Sequence, residues 1–211
     1  GRLDAPANAA VFLCRPCGLV YEAEADRLVQ SEPLTASSST ELALPAVVRY
    51  LAVWRFAAQV EVRSKDARSG APPEHVWDAV KRAAAPSRPF LYVPAFAFGR
   101  LVVQQLGAGL VEAQPVLALE RRIPREISPL SLLRGGLSAE TAGEGAEGPG
   151  FGTVSPVVLG RRDAEVVAHY VYLAVENRGS IDLRRIDYDL EVGEGDLLFL
   201  PAVYDRRYVR D

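Results

Sequence analysis

Residues 185–192 read Arg-Ile-Asp-Tyr-Asp-Leu-Glu-Val, an unbroken alternation of polar and apolar side chains. Successive side chains of an extended strand point to opposite faces, so this run commits the chain to a sheet with one wet and one buried face. The sequence then turns through Gly193-Glu194-Gly195-Asp196 into Leu197-Leu198-Phe199-Leu200, which reads as a hairpin. A second alternation, Gln59-Val60-Glu61-Val62-Arg63, closes a stretch over residues 47–62 rich in β-branched and aromatic side chains. That stretch predicts one long or two short strands. Residues 90–94 and 116–122 supply further strands, and Ala10-Val11-Phe12-Leu13 and Leu19-Val20-Tyr21 flank a tight turn.

Helical signals are fewer. Residues 74–85 read as a short helix stopped before Pro86. Residues 98–113 place Leu101, Val102, Gln105, Leu106 and Leu110 near helical spacing, with Gly107 and Gly109 weakening the run. Asp163 is a good N-cap for a helix over 164–177, with an apolar face of Val166, Val167, Tyr170, Val171 and Ala174. Residues 128–133 suggest a helical turn closed by Gly135 and Gly136. Leu91-Tyr92-Val93-Pro94-Ala95-Phe96 and Leu198-Phe199-Leu200-Pro201-Ala202-Val203 share a pattern that suits a strand ending at a proline bend.

Composition sets the limits. The chain has 211 residues, 49% hydrophobic and 24% charged, which rules out disorder as its overall state. The longest apolar stretches are interrupted by Arg, Gln or Glu before reaching the roughly 20 residues of a membrane-spanning helix. Net charge is −3, and with the acidic loop at residues 138–150 set aside the remaining charges balance. Nucleic acid and anionic membranes are therefore poor partners on charge grounds. All basic residues except Lys65 and Lys81 are Arg, as a GC-rich genome would produce. The chain starts at Gly1, contains no Met and shows no signal peptide over residues 1–11, so the expectation is a cytoplasmic protein whose start lies upstream.

Two cysteines are too few for a disulfide scaffold, and they stand together in Cys14-Arg15-Pro16-Cys17-Gly18. At this spacing two thiolates can face one ion, with a glycine free to close the turn. The motif and its flanking strands resemble one knuckle of a zinc ribbon or rubredoxin-like unit, over about residues 1–22. The resemblance implies Zn2+ held by Cys14 and Cys17. Tetrahedral zinc needs two more ligands, and His75 and His169 lie far along the chain. A ribbon of this kind would carry its other Cys pair just upstream of Gly1. Other readings of the pair stay open: a rubredoxin-type iron centre, a thioredoxin-like dithiol, which Pro16 also resembles, or two unengaged thiols.

Other motifs point to little chemistry. Gly143-Glu144-Gly145-Ala146-Glu147-Gly148 fits a dinucleotide-loop pattern, but its glutamates would repel a pyrophosphate and no strand precedes it. The arginine pairs Arg121-Arg122, Arg161-Arg162, Arg184-Arg185 and Arg206-Arg207 stand near Glu120, Asp163, Asp187 and Asp205, which predicts local neutralisation. No nucleophile elbow, P-loop or H-E-x-x-H motif occurs, Trp54 and Trp77 read as core or interface aromatics, and no residue is assigned a catalytic role.

The expectation is an α+β protein. It would have a zinc-ribbon-like β-hairpin at residues 1–30, a linker at 31–45, an α+β part at 46–136, the acidic loop at 137–150, and a helix with a β-hairpin at 151–211. The body would be a mixed, mainly antiparallel sheet with about three helices. The expected role is a non-enzymatic accessory or adaptor subunit docked on other proteins, with zinc fixing the ribbon. The alternatives are a redox protein using Cys14 and Cys17, with iron or as a dithiol, and a nucleic-acid-binding ribbon.

Overall fold

The computed structural model describes residues 9–14, 19–24, 27–37, 47–67, 76–84, 88–96, 99–121, 153–178 and 183–204. The turn holding Cys17, His75, the 128–136 segment, the acidic loop, Arg122, Arg206 and Arg207 lie outside these residues.

The fold is α+β, with a small antiparallel sheet and a larger mixed, mainly antiparallel one. The small sheet has the order β1 (Val11–Cys14), β2 (Leu19–Glu24), β3 (Arg27–Ser31). The hairpin of β1 and β2 matches the sequence reading, and β3 adds a third strand that the charged, mostly exposed Arg27-Leu28-Val29-Gln30-Ser31 does not announce. The large sheet contains β4 (Leu34–Ser37), β5 (Val47–Ala67), β6 (Phe90–Pro94), β7 (Ala118–Arg121), β8 (Thr153–Val154) and β9 (Leu183–Tyr204). Its order is β6-β5-β9-β4-β7, with β8 joining β5 in parallel.

Two expectations are corrected here. Residues 34–37, placed in a linker, form β4, wedged between β9 and β7 with Thr35 and Ala36 buried. A strand inserted between two others satisfies its backbone on both edges, so it needs little apolar pattern of its own. The hairpin expected at Gly193–Asp196 is likewise absent, because β9 runs straight through it for 22 residues. One extra residue there is absorbed as an irregularity, Gly193 and Glu194 standing against Ala57 alone, where β5 and β9 shift register. Gly195 lies flat on the Phe56 ring, and a Cβ there would sit 2.4 Å from a ring carbon. The glycine therefore serves a close approach between paired strands instead of a turn.

Pro94 does end β6, whereas Pro201 sits inside β9 opposite Tyr50. Beyond Phe199 the other side of β9 has no partner among the described residues, so a missing N–H costs nothing there.

The helices are α1 (Val76–Ala84), α2 (Arg100–Val102), α3 (Ala108–Ala113) and α4 (Arg161–Arg178). A π turn, Val103–Gly107, joins α2 to α3, so the region expected as one helix is continuous but locally widened. Gly107 packs this turn against the sheet, where a Cβ would stand 3.0 Å from the Tyr92 carbonyl oxygen. Helix α4 lies against β6 and β9, with α1 and α3 packed beside it.

Helix α4 departs from expectation in both start and face. It begins at Arg161, with Asp163 in its first turn instead of at the cap. Its buried side is Ala164, Ala168, Val171, Tyr172, Ala174 and Val175, while Val166 and Tyr170 are 61% and 63% exposed. The helix offers two apolar faces, and the one rich in alanine allows the closer approach to the sheet. Trp54 and Trp77 are core residues as expected: the Trp54 indole N–H donates to the Leu159 carbonyl at 2.8 Å, and Trp77 meets Tyr172 edge-on.

Candidate functional site

Cys14 ends β1 and is buried, with 4% of its surface exposed. Its sulfur is in a disulfide. Among the described residues, no group of three or more His, Cys, Asp or Glu side chains gathers to hold a metal ion. His169 is exposed on α4, and its Nδ1 hydrogen-bonds the Tyr188 hydroxyl at 3.3 Å.

The small sheet is mounted on the body. Val11 and Val20 belong to the same buried cluster as Trp54, Leu91 and Val171. The Ala10 amide donates to the Val157 carbonyl at 3.0 Å, beside the start of α4. Glu22, on β2, accepts a hydrogen bond from the Arg161 amide, so a carboxylate from the small sheet caps the first turn of the long helix. Burial pushes the Glu22 carboxyl above its ordinary value against the lowering pull of that amide, and Glu24 adds to the rise. Glu24 in turn reaches Arg162 at 3.6 Å. This long-range cap explains why α4 starts earlier than Asp163 suggests.

Comparison with known proteins gives no match. No family model fits the chain, and neither a curated protein nor a solved structure is similar to it.

Two further features involve α4. Lys65 of β5 donates to Glu176 at 2.7 Å, with 2% and 0% of the two side chains exposed. The second Glu176 oxygen accepts from the Trp77 amide at 3.1 Å, fastening α1 to α4. Beside this pair the Tyr172 hydroxyl is buried with no hydrogen-bond partner among the described residues, and burial, then Glu176, push its ionisation far above the usual tyrosine range.

Between α4, the π turn and the start of β9 is a half-open groove of about 780 Å³. Val167, Leu173 and Ala174 of α4 and Leu183 and Ile186 of β9 give it apolar walls. Its polar lining comes from Gln104, Tyr170 and Asn177, and from Arg184 and Arg185. The partners of the arginine pairs are partly distant and partly local: Arg121 meets Glu32 at 2.9 Å, Arg161 meets Glu165 one turn along its own helix at 3.2 Å, and Asp187 belongs to Arg63. Arg184 and Arg185 have no ion-pair partner among the described residues. Nothing in the sequence joined these two arginines to α4. The one available signal was the surplus of apolar residues around that helix.

Proposed function

We propose that this protein is a non-enzymatic accessory subunit of a larger protein assembly, in which the small three-stranded sheet acts as a ribbon of fixed orientation. The carrying observation is the mount: Val11 and Val20 inside the shared core, with Glu22 capping α4. A ribbon held this way presents its Cys14 end at a set angle to the body. The exposed Leu28 on β3, 52% accessible, adds apolar surface for a protein partner on the ribbon itself.

Zinc in this reading is held by Cys14 and Cys17 as thiolates, which requires the pair reduced, because a disulfide sulfur cannot serve as a thiolate ligand. The described residues bring no further ligands together, so two must come from other residues or another chain. The test is native mass spectrometry of the reduced protein isolated from its own cells. One zinc per chain, lost in Cys14→Ser, together with stoichiometric partner subunits, is the expected result. A metal-free, partner-free monomer overturns the reading.

The disulfide at Cys14 favours a second reading, a redox protein cycling Cys14 and Cys17 between dithiol and disulfide. Burial of Cys14 counts against that sulfur as the attacking nucleophile. Thiol titration against a glutathione buffer separates the two: a potential near that of the cellular pool supports the redox role.

A further inference from the structure

The groove beside α4 carries an inference independent of the ribbon. We infer that it binds a single-chain amphiphile with an anionic head, of the class of long-chain carboxylates, with the chain along the α4 and β9 walls and the head at Arg184 and Arg185.

Three observations support this occupant. The volume of about 780 Å³ falls in the range of roughly 300–1,000 Å³ typical of small-molecule pockets. The walls are aliphatic, from Val167, Leu173, Ala174, Leu183 and Ile186, which suits a chain of methylenes. The cationic end is built by the backbone. Asp66 pairs with Arg185 and Ala67 with Leu183, so Arg184 is an extra residue in β9 at a bulge.

In a regular strand, consecutive side chains point to opposite faces, and only one of two neighbouring arginines could line a groove. The bulge breaks that alternation, and both arginines line this groove. Asp66 stands opposite Arg185 in register, yet no ion pair joins them, which leaves two guanidinium groups for an external carboxylate. The head is anionic because, among the described residues, every charged group lining the groove is an arginine. Gln104 and Asn177 add amide donors from the helical side.

The test is isothermal titration with decanoate, dodecanoate and tetradecanoate below their micelle-forming concentrations, using dodecyltrimethylammonium as the charge-reversed control. The expected result is saturable one-to-one binding that tightens about fourfold per added methylene, as burial of a CH₂ group requires. The exposed double variant Arg184→Gln/Arg185→Gln should weaken dodecanoate binding by about tenfold or more while its melting temperature stays near that of the parent. Tyr170→Glu, at a 63% exposed site on the groove wall, should weaken carboxylate binding. Absence of saturable binding overturns the inference. So does affinity independent of chain length, or affinity unchanged in the double arginine variant.

Discussion

Replacing Glu176 by Gln isolates the cost of leaving one charge in the core. The substitution keeps a carbonyl oxygen for the Trp77 amide, so α1 retains its fastening, but it leaves the Lys65 ammonium buried with no counter-charge. With both side chains almost fully enclosed, removing one partner costs about 3–5 kcal/mol. For a chain of this size each kcal/mol is worth about 2–4 °C, so the midpoint should fall by roughly 6–20 °C. Urea unfolding followed by fluorescence of the buried Trp54 and Trp77 reads the loss directly. Adding Lys65→Met removes the orphaned charge and fills its space with an apolar side chain. The double variant should therefore regain at least half of what Glu176→Gln lost. The loss should also persist between about 0.05 and 0.5 M salt, since buried pairs are screened little. A single variant that costs less than about 1 kcal/mol, or a double variant no better than the single, refutes the reasoning.

Two other outcomes follow from buried ionisable groups. The Glu22 carboxyl is raised in the folded protein, so folding takes up protons and this group's contribution to stability is greatest below its unfolded value of 4.5 and declines as pH rises through the raised one. Glu22→Gln keeps an acceptor for the Arg161 amide and removes the ionisation, so the stability profile measured from about pH 4.5 to 7 should flatten, with the variant the more stable at pH 7. Tyr172→Phe deletes a buried hydroxyl that has no hydrogen-bond partner among the described residues and should stabilise by about 1 kcal/mol. Because the folded state resists ionising Tyr172, stability is lost as pH climbs above the unfolded value of 10.0, and the variant should unfold at higher pH than the parent in an alkaline titration.

Elements whose own side chains determine their state were legible in the sequence. The run Phe90–Pro94 forms a strand because it is apolar, β-prone and closed by proline, and α1 follows from its periodicity before Pro86. Elements whose state depends on a distant neighbour were not. Strand β4 exists because β9 and β7 flank it, and α4 starts at Arg161 because Glu22 reaches it across the molecule. Gly193 and Gly195 carry every local mark of a turn, yet Ala57 and Phe56 on the facing strand claim them for a bulge and a stacking contact. For the candidate sites, Cys14 stood out from spacing alone. The groove did not, since its walls come from residues on opposite sides of the α4–β9 connection and its two arginines converge only through a bulge.

The pairing of β5 with β9 also sets the order of events in synthesis. Val47 lies opposite Tyr204 and Tyr50 opposite Pro201, so the central seam of the large sheet joins segments separated by most of the chain. The small sheet, built from neighbours in sequence, can form while the chain is still emerging. Strand β6 can cover one edge of β5, and β7 one edge of β4, as each is made, but the edges that face β9 stay bare until the ribosome has passed residue 204. During that interval the β9-facing edge of β5 is unpaired, and its apolar stretch from Tyr50 to Phe56 is the segment most in need of shielding from other nascent chains.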